Sequence, residues 1–111
     1  MSIFQRSQPV DEVEPATAAA ALDDGTGIIV DVRDPHEWAA GHAAGARHLP
    51  LPFLASRAAE LPGDRTIYLI CASGNRSRTA TEMLVRAGFS AANVRGGTTE
   101  WIRAGLPTSR D

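Results

Sequence analysis

Two short apolar runs, GIIVDV at 27–32 and TIYLIC at 66–71, constrain this chain more than anything else in it. Neither alternates polar with apolar residues, so each reads as a strand covered on both faces. Each follows a turn signal, DDGTG before the first and LPGD before the second. Weaker strands are expected at ANVRGG (92–97) and GARHLPL (45–51), with an edge strand at PVDEV (9–13).

Helical patterns fill the gaps. PATAAAALDD begins with Pro15 at a first-turn position. DPHEWAAG offers Asp34 as N-cap, Pro35 behind it and Gly41 as stop. LPFLASRAAEL sets 51, 54, 58 and 61 on one helical face. SRTATEMLVRAGF carries Ala80, Met83, Leu84 and Ala87 on one face, then Gly88 as a left-handed cap and Phe89 packing back. TTEWIRAGLP closes the chain in the same manner. Strands alternating with helices imply an α/β fold, with a central, mostly parallel sheet and helices on both faces. At 111 residues, one domain spanning 1–111 with a core at about 10–107 is expected.

Composition removes several functional classes. A net charge of −2 and a pI near 5.9 give no electrostatic case for nucleic acid or a membrane surface as partner. One cysteine cannot form an internal disulfide, and three scattered histidines make no metal pattern, so neither metal nor cofactor is expected. MSIFQRSQPV has no apolar segment of signal-peptide length, which leads to the expectation of a cytoplasmic protein.

In an open parallel sheet, ligands sit at the carboxyl ends of the strands, and Cys71 falls at such an end. The next residues, ASGNR, join strand to helix through Gly74, which tolerates backbone angles closed to other residues, and Asn75, which approaches that freedom. Such a turn can point successive N–H groups inward, and a helix start near Ser77 adds its own unpaired donors. Arg76 brings a full charge suited to oxyanions. A thiol in that ring is driven toward thiolate. The other reading of Cys71 is a small, inert core residue.

CASGNRS followed by a helix and AGF resembles the active-site loop of the rhodanese-like sulfurtransferases. DVRDPHEWAAGHAAGA (31–46) resembles the family's upstream D-x-R, E, G-H, G-A signature, and VRGGTTEWIRAGLP (94–107) its closing G-G, W, G-L-P. Ala43 and Ala44 stand where the family usually has a larger apolar residue and often a proline, a difference of packing.

The resemblance implies a rhodanese-like α/β domain that transfers sulfane sulfur from thiosulfate or a similar small anionic donor to cyanide or a thiol, through a persulfide on Cys71. It implies Ala72, Ser73, Gly74, Asn75, Arg76 and Ser77 as the donor-binding loop. A protein thiol is a further possible acceptor. Cysteine-dependent phosphatases place five residues between cysteine and arginine, against four between Cys71 and Arg76. Arsenate reductases commonly use further cysteines, which this chain lacks. Regulatory or docking members of the family typically lack the cysteine.

Asp31 and Arg33 end a strand on the side of Cys71, either tuning the site's field or forming a structural ion pair. Arg78 either steers anions at the rim or is simply solvated. His42 reads as part of a tight, hydrogen-bonded turn, because thiolate attack needs no base. Trp38 and Trp101 read as core residues, and Gly96 and Gly97 as a tight strand-to-helix turn.

Overall fold

The computed structural model describes residues 10–111. Successive side chains of the two apolar runs fall on opposite faces of one sheet, as a period of two requires. The strands β2 (Gly27–Asp31) and β5 (Thr66–Ile70) pair in parallel, from Gly27 opposite Thr66 to Asp31 opposite Ile70. Ile28, Val30, Ile67, Leu69 and Cys71 point into one core with Leu54, Ala80 and Leu84. Ile29 and Ile70 point into a second with Ala18, Val94 and Trp101. Each fully buried aliphatic side chain contributes about 1.5–3 kcal/mol, so both faces need a helical cover.

The first core is closed by α3 (Leu54–Arg57) and α4 (Asn75–Arg86), the second by α1 (Pro15–Asp24) and α5 (Gly97–Arg103). With β1 (Glu12–Val13), β4 (Arg47–His48) and β6 (Ala91–Val94), the sheet runs β1-β6-β5-β2-β4, every pair parallel. Strand β5 is therefore central. The chain winds from β2 outward to β4, then returns across to β5 and β6. The direction reverses between β2 and β5, and a crevice opens at their carboxyl ends where such folds bind ligands. Asp31 and Cys71 both lie there.

A short helix α2 (Pro35–Ala40) follows β2. It opens with a reciprocal capping box: the Glu37 amide donates to Asp34 at 3.0 Å, and the Asp34 amide donates to the Glu37 carboxylate at 3.2 Å. Two residues on, β3 (His42–Ala43) pairs antiparallel with β7 (Thr108–Ser109), bringing the closing segment beside α2. The Trp101 indole N–H donates to the Pro107 carbonyl at 2.7 Å and fixes that segment against the second core. No helix among the described residues is long and apolar enough to cross a membrane.

Several expectations are corrected in detail. The strand expected at 45–51 is regular only at 47–48; Pro50 and Pro52 lack the donors a longer ladder needs, although the Leu49 and Leu51 amides still reach Asp31 and Val32. The helix expected over 51–61 is a tight turn at 51–53, one α-turn and another tight turn at 58–60. Its apolar face holds nonetheless, with Leu54 buried and Leu51, Ala58 and Leu61 packed on the first core. The edge strand covers Glu12–Val13, and Pro9 of its expected span lies outside the described residues. The buried stripe of α4 is Ser77, Ala80, Thr81 and Leu84, with Ala87 exposed. Two hydroxyls are thus turned inward on the helix that faces Cys71.

Candidate active site

Cys71 continues the alternation of Ile67 and Leu69, so its side chain points toward α4. After it the chain must turn sharply from strand to helix. Gly74 makes that turn at φ +106°, in the left-handed region that glycine occupies without strain. Helix α4 consequently starts at Asn75, two residues before the start expected near Ser77, and Asn75 takes ordinary helical angles. The left-handed position falls to Gly74 alone.

This geometry wraps donors around the sulfur. The Gly74 N–H donates to Cys71 Sγ at 3.1 Å, and Ser77 Oγ donates to it at 3.3 Å. Burial pushes the thiol's pKa up, but the Ser77 hydroxyl and the amides of Ser77, Gly74 and Ser73 oppose it, leaving the thiol below its ordinary 9.0. The residue is only 1% exposed, so the sulfur lies at the floor of the loop. Ser73 is exposed and Ala72 half-buried above it.

The loop is held from behind. Thr98 donates through its amide (2.8 Å) and hydroxyl (3.0 Å) to the Cys71 carbonyl, and Thr99 does the same to the Ala72 carbonyl (3.2 and 3.1 Å). The start of α5 thus grips the backbone that carries the sulfur. A β-carbon at Gly97 would lie 2.4 Å from the Cys71 carbonyl oxygen, which explains the glycine there. Asn93, buried on β6, donates to the Gly74 carbonyl at 3.0 Å and to Glu12 at 3.1 Å.

The arginines take different places from those expected of free anion binders. Arg76 forms a two-pronged ion pair with Glu37, at 2.7 and 2.8 Å. That pairing holds the Glu37 carboxyl down at about 2 and raises the guanidinium above its ordinary value. Arg78 pairs with Glu12 at 2.8 Å, tying α4 to the edge strand. Arg33 and Asp31 bind each other at 2.8 Å, and Arg33 also donates to the Gly41 carbonyl. Both are buried and their polar groups are engaged within that corner.

His42 is buried, donates from Nδ1 to the Trp38 carbonyl at 2.9 Å and stacks on the Trp38 ring at 3.4 Å between centroids. His48 stacks on the same indole at 4.7 Å. Trp101 is a core residue; Trp38 is instead half-buried in this aromatic stack. Gly96 and Gly97 form the tight turn that their spacing suggests, both left-handed.

Asn93, Thr98 and Thr99 were not singled out by sequence reasoning, and Glu37 entered only as the E of the upstream signature, with no role assigned. Glu37 had a local signal, three residues after an N-cap aspartate. Asn93 had another, a polar residue inside a strand expected to be covered.

The crevice, the central-strand cysteine and its donor ring coincide with a family match. The model of the rhodanese-like domain matches residues 14–104, and the chain belongs to that family. The chain is 36% identical over 100 residues to a sulfurtransferase of Allochromatium vinosum, covering 88% of this chain and 94% of that one. It is 37% identical over 108 residues to the thiosulfate sulfurtransferase GlpE of Pseudomonas putida, covering 96% and 92%. Its fold resembles a rhodanese-related protein from Thermoplasma volcanium, with TM-score 0.84 at 30% identity, covering 91% and 99%.

Proposed function

We propose that this protein is a sulfurtransferase that carries sulfane sulfur on Cys71. The observation that supports it most is the convergence of the Gly74 amide and the Ser77 hydroxyl on a thiol at the end of the central strand. These donors stabilise the thiolate at Sγ and are already oriented before reaction, and the same loop faces the persulfide, whose charge lies one S–S bond (~2 Å) further out.

In the first half-reaction the Cys71 thiolate attacks the outer sulfur of thiosulfate or a similar donor. The S–S bond of the donor breaks, sulfite leaves with the bonding pair, and Cys71–S–S⁻ remains. In the second, cyanide or a thiol takes the terminal sulfur and the thiolate is regenerated. The steps form a ping-pong sequence through a covalent intermediate. With the residue 1% exposed, only a terminal atom of the donor can reach the sulfur, which suits such a donor. Ala72, Ser73 and Asn75 shape the mouth of the loop, while Arg76 borders it.

Incubation with thiosulfate should add the mass of one sulfur (about 32 Da) to the intact protein, and cyanide should remove it. A protein that hydrolyses an aryl phosphate but never gains this mass would refute the reading in favour of a phosphatase. A protein that does neither would refute it in favour of a docking module.

A further inference from the structure

Three arginines bordering the site each have a carboxylate partner, Arg33 with Asp31, Arg76 with Glu37 and Arg78 with Glu12, while Arg110, exposed at the edge of the cleft that Glu37 lines, makes no ion pair among the described residues. Around a thiolate and an anionic donor this arrangement is unexpected, since a free guanidinium would attract both. The Arg76–Glu37 pair differs from the other two. The Arg33 pair is buried within its own corner and Arg78 points to the edge strand, but Arg76 lies in the first turn of α4, beside the loop. Its partner comes from 39 residues away, on α2.

Glu37 is placed with care. Its backbone amide and its carboxylate both serve the capping box with Asp34, so the side chain is held at the start of α2 and aimed across at α4. Two nearly parallel N–H···O bonds take up one side of the Arg76 guanidinium. The pair also stands between two clefts. Arg76, Val32, Leu51 and Phe53 line one of about 310 Å³. Glu37, Arg33, Thr98 and Ile102 line the other, of about 460 Å³.

Resting on the sulfurtransferase reading, we infer that Glu37 is a positioning residue that restrains the charge of Arg76, weakening its pull on the sulfur and on small anionic donors. The loop amides and Ser77 are then left as the principal stabilisers of negative charge at Cys71. Selectivity follows: a dianion gains little from a guanidinium that already holds a carboxylate, so donors are ranked by how their sulfur fits the loop rather than by charge. Of the other charged groups of the corner, Arg33 and Asp31 neutralise each other, as do Arg78 and Glu12, and Asp34 caps α2; Arg110 lines the larger cleft with Glu37, exposed, and is common to every variant compared below.

Glu37→Gln keeps the capping oxygen and removes the charge, and so tests the inference. Its thiosulfate KM should fall about threefold, by more than kcat changes, as expected for a half-exposed ion pair. Alkylation of Cys71 by neutral iodoacetamide below the thiol's pKa should become about threefold faster. Arg76→Gln should move both readings the opposite way, and the double variant should return alkylation to the wild-type rate. If Glu37→Gln changes neither reading, or shifts both in the direction of Arg76→Gln, Glu37 is only a structural brace and the inference fails. Should wild-type protein gain no sulfur from thiosulfate, the sulfurtransfer reading fails by itself. The alkylation cycle, with sulfate as the protecting anion, still decides the role of Glu37.

Discussion

Two strand-to-helix junctions lie side by side in this fold and use their amides in opposite ways. At β5–α4, Gly74 turns left-handed and its N–H points at a side-chain sulfur. At β6–α5, Gly96 and Gly97 turn left-handed, and the N–H groups of Thr98 and Thr99 point at backbone carbonyls of the first junction. Neither helix has a side-chain cap at its start. A glycine turn before a helix is therefore insufficient to make a site. What separates the two is the residue at the strand's end and what the second junction does for the first.

The sharpest way to break the comparison is to remove the sulfur. Cys71→Ser should lose all thiosulfate:cyanide transfer while keeping its circular dichroism spectrum, and residual turnover in a purified sample would refute the assignment. Next in size is Gly97→Ala. Its methyl group would press on the Cys71 and Ala72 carbonyl oxygens at 2.4 and 2.7 Å, and a destabilisation of about 3 kcal/mol is expected in urea unfolding. A loss below about 1 kcal/mol would mean that the second junction does not brace the first.

A smaller effect is expected at Ser77→Ala, which removes a donor to the sulfur but no backbone contact. Alkylation of Cys71 at neutral pH should slow about tenfold, and the pH at which it becomes fast should rise. No change would show that the amides suffice. Thermodynamic linkage supplies the gentlest test. The folded thiol titrates below its ordinary 9.0, so the stabilisation is complete above pH 9.0 and disappears as pH falls through the folded value. Wild-type stability measured relative to Cys71→Ser should thus increase as pH rises toward 9.0, and a flat difference would contradict the donor ring.

Local features and the parallel α/β architecture were legible in the sequence, and particular long-range side-chain contacts were not. The two central strands, both cores and the Asp34 cap follow from periods and propensities that act over a few residues. The position of Cys71 at the crevice follows from alternation plus topology. What escaped was set by distant partners or by competing local rules. Pro50 and Pro52 broke a strand that apolar spacing alone would have continued. Gly74 took the left-handed angle that was shared in expectation with Asn75, and the helix began earlier. The partner of Arg76 lies 39 residues upstream, and no spacing rule reaches that far. The grip of Thr98 and Thr99 on the loop requires knowing that β6 sits next to β5.

The hold of α5 on the Cys71 carbonyl has a practical consequence. Trp101 lies one turn along the same helix, fully packed in the second core. The carbonyl of Cys71 and the Trp101 indole are thus tied to one helix, three residues apart. On the proposed sulfur transfer, the expected outcome is a change in tryptophan emission when thiosulfate is added, absent from Cys71→Ser.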